Sequence, residues 1–181
     1  MTVASDPESS WQIRTKGKTL KALAGDRIAF FGDHVEMSDG GEDFASTFGV
    51  GGVIGTNFAW PGAPGEKDKT LLLTPKREKT WARWVELYEA KRLSEGEYLG
   101  GLYDIGFDRP EAHVVRKGGV LYYAFFAARH EGPVQLRGLD RDKSYAIRDY
   151  VNGLDLGVVR GPVATLDARF RQSLLLEATP Q

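Results

Sequence analysis

Residues 27–58 read RIAFFGDHVEMSDGGEDFASTFGVGGVIGTNF, and the front half of the fold turns on how this stretch is parsed. Residues 27–31 (RIAFF) are an apolar run of strand length, and residues 50–58 (VGGVIGTNF) combine glycines with β-branched residues as a tightly packed buried strand does. Between them lies the polar, acidic segment 32–47. Upstream, Ser5 and Glu8 have capping-box spacing and Pro7 suits a first helical turn, so a helix is predicted to run to Ala24, with Gly25 as its stop. Downstream, a Pro- and Gly-rich loop leads to Thr74 and Pro75. These open a second helix, predicted to end near 94–96, whose Trp81, Trp84, Val85 and Tyr88 form an apolar stripe. Alternating strands and helices imply a parallel sheet, yet only about two such units are present, and a full (β/α)₈ barrel takes ~250 residues. The expectation is a partial (β/α) barrel segment over 1–95, lacking an N-terminal portion, in which 27–31 becomes an open edge strand.

Beyond Gly96 the pattern changes to short runs at 112–116, 120–127, 134–139, 145–150, 156–159 and 173–178. Gly118-Gly119, 140–142, Asn152-Gly153 and Gly161-Pro162 punctuate them at the spacing of an antiparallel β-sandwich, predicted over 97–181. The fold class is therefore α/β plus all-β, with the Trp81/Trp84/Tyr88 stripe expected to bury part of its face between the two domains.

Composition bounds the function. The chain has 181 residues, and 24 Lys+Arg against 25 Asp+Glu give a net charge of −1, so no overall field attracts nucleic acid or anionic lipid. With no cysteine, disulfides, thiolate metal sites and a Cys nucleophile are excluded. No run approaches the ~18 apolar residues of a membrane span, and MTVASDPESS lacks the regions of a signal peptide. A soluble protein is expected, with its compartment left open.

Several enzyme classes lack their required residues. In GVGGVIG (49–55) an Ile stands where a dinucleotide fingerprint needs its third Gly, so the segment reads as a packing device. Neither G-x-S-x-G nor H-E-x-x-H occurs, and the three histidines, His34, His113 and His130, are too scattered to propose a site. Two acidic clusters at predicted strand ends remain, where barrel enzymes place their working groups. In the first, Asp6 stands just after a strand and just before a helix. Its plainer role is that of a helix cap. The second runs through Asp33, His34, Glu36 and Met37 to Asp39, Glu42 and Asp43, and reads as a sugar-hydroxyl clamp, a cation site or a solvated acidic loop. Trp11 and Trp60 lie near the same loop ends. Indole stacks on the apolar face of a sugar while carboxylates accept its hydroxyl protons, although tryptophan more often belongs to a core.

Residues 5–62 (SDPESSWQIR through TNFAWPG) resemble the late barrel region of the retaining α-galactosidases, the melibiase class, and the rest of the chain resembles the β-sandwich that follows such barrels. The resemblance implies that Asp6, before a Ser-Trp pair, is the general acid/base. It implies that Glu36 and Met37 contact the sugar, with Asp33, His34 and Trp11 as further substrate-binding candidates. It implies an α-galactoside substrate, or an α-N-acetylgalactosaminide, and no cofactor or metal. The family's nucleophile, an aspartate in a Lys-x-Asp strand end, has no counterpart here, nor does the arginine that precedes the acid/base. The isolated chain is accordingly expected to be inactive on α-galactosides and to self-associate or pair with a chain that completes the barrel. The competing class is a non-catalytic carbohydrate-binding or interaction module.

Overall fold

The structure, a computed structural model, describes residues 2–3, 9–32, 44–56, 58–60, 62 and 72–181. It divides into two compact units, Met1–Glu95 and Gly96–Gln181. In the first, β1 (Thr2–Val3), β2 (Phe31–Gly32) and β3 (Val53–Ile54) form a three-stranded parallel sheet in the order β1-β2-β3. The expected edge strand is thus its middle strand, because Thr2–Val3, at the place of the strand expected just before Asp6, pairs with Phe31–Gly32.

Helix α1 (Ser10–Ala24) is capped by Ser9, whose hydroxyl accepts from the Gln12 amide while the Gln12 side chain accepts from the Ser9 amide. The capping box is therefore Ser9/Gln12 and the helix starts later than the Ser5/Glu8 spacing predicts; Ser5, Pro7 and Glu8 lie outside the described residues. The helix ends at Ala24, and Gly25 takes φ +63°. Where strand 50–58 was expected, a short helix α2 (Ala45–Gly49) precedes a β3 of only two residues. Every residue of α2 is buried, as its apolar Phe44–Val50 environment requires. Close approach explains two glycines: a Cβ on Gly17 would lie 2.6 Å from Val50, and one on Gly52 would lie 2.8 Å from the Thr47 carbonyl oxygen.

Helix α3 (Pro75–Lys91) has Thr74 as N-cap and Pro75 in its first turn, and Arg92 in the left-handed region ends it. Its Trp81 packs on Phe44 and Phe58 at 6.0 and 6.2 Å, and Trp84 on Phe48 at 5.7 Å, all within the first unit. Val85 is exposed, so the buried stripe is narrower than the spacing suggests. Two buried cations tie the unit together: Arg14 donates to the Ser46 hydroxyl at 2.7 Å and Lys21 to the Ser94 carbonyl at 2.9 Å.

The second unit is an antiparallel six-stranded hydrogen-bonded sheet, in the order β4-β5-β6-β9-β7-β8, and it bends back on itself, since Tyr123 and Arg137 of one strand, 14 residues apart, meet through a hydrogen bond. Its strands are β4 (Glu97–Tyr98), β5 (Glu111–Lys117), β6 (Val120–Arg137), β7 (Ser144–Asp149), β8 (Leu154–Arg160) and β9 (Val163–Pro180). Runs 120–127 and 134–139 belong to one 18-residue strand because the chain passes through a bulge between Ala127 and His130 without leaving the sheet. Opposite the bulge, Gln172 adopts φ +65° within β9, whose first half has no counterpart among the expected runs. Gly118 and Gly119, both at positive φ, make the tight hairpin between β5 and β6.

The core of this unit draws on both halves of β6, with Leu121, Tyr123 and Phe125 from one and Val134 and Leu136 from the other. Past the end of β5, residues 130–137 of β6 pair only with β9. Two tyrosines close the edge left open there. The Tyr103 hydroxyl donates to the Gln135 carbonyl and accepts from the Arg137 amide at 3.0 Å, while the Tyr123 hydroxyl donates to the Arg137 carbonyl at 2.8 Å. Phenol groups thus replace a missing strand neighbour. Among the described residues no helix is long and apolar enough to cross a membrane.

Candidate functional site

Parallel pairing puts Thr2 beside Phe31 and Phe31 beside Val53, and likewise Val3, Gly32 and Ile54, so all three strands finish at one edge of the sheet. Crevices outside the carboxyl ends of parallel strands are where α/β folds place ligands. Asp6, Asp33, His34, Glu36 and Met37 all lie outside the described residues. Trp11, in the first turn of α1, is 52% exposed, and Trp60 is 60% exposed, so the core role that is usual for tryptophan does not apply to either. The Trp11 carbonyl accepts from Thr15 Oγ1 at 2.9 Å, which holds the backbone and leaves the indole at the surface.

His113 does have chemistry around it that the sequence reading missed. Glu111 and His113 alternate onto one face of β5, and Glu111 Oε1 lies 2.8 Å from His113 Nε2 while Tyr98 Oη lies 2.7 Å from Nδ1. Both contacts are satisfied when Nε2–H donates to Glu111 and Nδ1 accepts from the tyrosine. Burial, aided by the Glu111 charge, pushes the Tyr98 hydroxyl well above its ordinary pKa. The imidazole side chain is fully buried, so the triad is a polar lock of the sheet. The i, i+2 spacing of Glu111 and His113 was its visible signal. His130 donates to the Gly132 carbonyl at 3.2 Å and packs on Phe170 at 5.2 Å, beside the β6 bulge. Among the described residues no group of three or more His, Cys, Asp or Glu side chains could hold a metal ion.

The fold is similar to that of glycoside hydrolases. Over 93% of its length the chain matches α-galactosidase I from Mortierella vinacea, with a TM-score of 0.54 at 12% identity, and over 97% it matches a GH27 β-L-arabinopyranosidase from Geobacillus stearothermophilus, with a TM-score of 0.56 at 14% identity. It covers 44% and 43% of those chains. No protein-family model matches. In sequence the chain is 32% identical over 181 residues to the A type blood α-D-galactosamine galactosaminidase of Flavonifractor plautii, a match that takes in 96% of this chain and 15% of that enzyme. The chain thus shares the fold of these glycoside hydrolases over part of their length and resembles in sequence a portion, 15%, of the galactosaminidase.

Proposed function

We propose that this chain is the C-terminal portion of a retaining α-glycosidase acting on terminal α-linked galactose or its 2-amino derivatives. Residues 1–95 are the last part of a (β/α) barrel catalytic domain and residues 97–181 the β-domain that follows it. The single observation that carries the reading is the in-register parallel sheet, whose strands β1 and β2 run into the sequence segments that hold Asp6 and Asp33 to Met37. In this mechanism Asp6 protonates the departing glycosidic oxygen and then deprotonates the water that hydrolyses the glycosyl intermediate. Glu36 accepts sugar hydroxyl protons, Met37, Asp33 and His34 line the sugar, and Trp11 offers it an apolar face. The nucleophilic carboxylate, ~5–5.5 Å across the bond in retaining enzymes, comes from strands outside this chain.

One observation favours amino-sugar specificity: the relative matched over 96% of the chain is named for galactosamine. The test is hydrolysis of aryl α-D-galactosides, α-D-galactosaminides and N-acetyl-α-D-galactosaminides by the 181-residue chain, and by a product extended with the coding sequence upstream of Met1, each with and without Asp6→Asn. The extended product should turn over at least one substrate and lose about 10²–10⁴-fold on Asp6→Asn. The chain alone should be inactive. Unchanged turnover in the Asp6→Asn variant would remove Asp6 from the mechanism.

A further inference from the structure

A cavity of about 440 Å³ opens in the second unit, lined by Tyr103, Asp108, Gln135, Arg137 and Thr165 together with the prolines 110 and 133. Its volume falls inside the range of about 300–1,000 Å³ usual for small-molecule sites. Every residue that lines it belongs to 103–165, within the second unit.

The chemistry of its walls narrows the ligand. Arg137 has five N–H donors and all are used: Nε and Nη2 on Gln135 Oε1 at 3.1 and 2.9 Å, Nη1 on the Leu102 carbonyl at 2.9 Å, and Nη1 and Nη2 on the Asp108 carboxylate at 3.2 and 2.8 Å. An anion would have to displace Asp108 to reach this guanidinium, so the pair disfavours anionic ligands. The guanidinium also lies 4.8 Å from the centre of the Tyr103 ring, and Tyr103 and Phe125, the two aromatic rings of the lining, are 6% and 1% exposed, which leaves little aromatic surface for a flat aromatic ligand. What remains is hydroxyl chemistry. Gln135 and Thr165 are exposed and sit on paired positions of β6 and β9, and Gln135 Nε2 and the Thr165 hydroxyl have no protein partner among the described residues, so both stand open at the cavity mouth. Pro110 and Pro133 supply aliphatic walls, and Arg109, at the rim, donates to the Asp108 carbonyl at 3.2 Å. The Arg137 knot makes the floor rigid before any ligand arrives.

We propose that this cavity is a binding site for a neutral pyranoside, whose hydroxyls meet Gln135 Nε2 and Thr165 Oγ1 and whose C–H face lies on the prolines. It does not depend on the glycosidase reading, since it uses none of the residues of that mechanism.

The test is a titration of the ¹⁵N-labelled 181-residue chain with methyl α-D-galactoside, methyl α-D-glucoside, methyl α-D-mannoside, N-acetyl-D-galactosamine and sodium D-glucuronate. Equilibrium dialysis of the same sugars gives a readout that self-association does not obscure. At least one neutral sugar should give saturable amide shifts at 103–109, 135–137 and 165. Gln135→Glu keeps the acceptor for Arg137 but removes the donor, and it should weaken binding about tenfold, the worth of one hydrogen bond. Thr165→Val should weaken it by a similar or smaller factor. The proposal is overturned if no neutral sugar gives saturable shifts there, if shifts fall only within residues 1–95, if glucuronate binds tighter than every neutral sugar, or if Gln135→Glu leaves dialysis binding unchanged.

Discussion

The two units of this chain solve the same problem, how to finish a sheet, in opposite ways. In Met1–Glu95 the strands are two residues long, β1 and β3 each have one strand neighbour among the described residues, and the chain leaves all three strands at one edge into the segments read as the site. In Gly96–Gln181 two 18-residue strands carry the core, and the stretch of β6 that lacks a neighbour is closed by tyrosine hydroxyls. The strands are shortest where the proposed catalysis sits and longest where no catalytic step is proposed. Catalytic side chains need loop geometry, which a rigid scaffold can hold but cannot replace. The second unit can spend its sequence on packing instead.

The contrast can be broken most severely at Phe125, which is 1% exposed, stacks on Tyr123 and meets Tyr103 edge-on. Phe125→Ala should cost about 3–5 kcal/mol, read as a shifted urea midpoint of the transition that carries the sheet's signal. A cost under ~1 kcal/mol would mean that the sheet's core is looser than described.

Tyr103→Phe tests the edge closure. It keeps the ring but leaves the Gln135 carbonyl and Arg137 amide without their shared partner, so about 1–3 kcal/mol should be lost and self-association through the opened edge should rise in sedimentation velocity. A variant as stable and as monodisperse as the parent chain would contradict the capping role.

Alkali should find the same unit. Burial, partly offset by Arg137 and reinforced by Asp108, raises the Tyr103 pKa to about 12 from 10.0, and burial also raises Tyr98, Tyr123 and Tyr150. Above pH 10 the unfolded chain binds fewer protons than the folded one, so stability that is complete below pH 10 is lost as pH rises through about 12. Tyrosinate absorbance followed together with circular dichroism should show ionisation and unfolding in one step. Ionisation of these tyrosines near pH 10 with the fold intact would argue against their burial.

The smallest effect is expected at Trp11. Its indole is exposed, so Trp11→Ala should change stability by no more than ~0.5 kcal/mol, while raising KM for the glycoside in the extended, active product. An unchanged KM would leave Trp11 as surface only.

Local signals were readable where one residue does one job. Thr74-Pro75 marks the start of α3 and Gly25 the end of α1, because capping is decided within a turn. Long-range effects were not. The Ala127–His130 bulge keeps β6 whole, and no local cue separates a bulge from a loop when Gly132 and Pro133 follow. A strand before Asp6 was expected, but not that β1, two residues long, pairs with Phe31 and Gly32 and so covers the edge expected to be open. Tyr103 and Gln135 are 32 residues apart, so no spacing rule links them. Of the candidate site, Trp11 is seen at the surface, and the acidic residues rest on the resemblance and on where β1 and β2 end.

The central claim is that Asp6 passes a proton to the leaving group, and azide tests it most directly. In the extended product, Asp6→Asn should hydrolyse an aryl α-glycoside with a good leaving group far better than the methyl α-glycoside. Added azide should restore turnover and yield the glycosyl azide with retained α configuration, because a small anion needs no base to attack the intermediate. Equal losses on both substrates, with no glycosyl azide formed, would contradict the account.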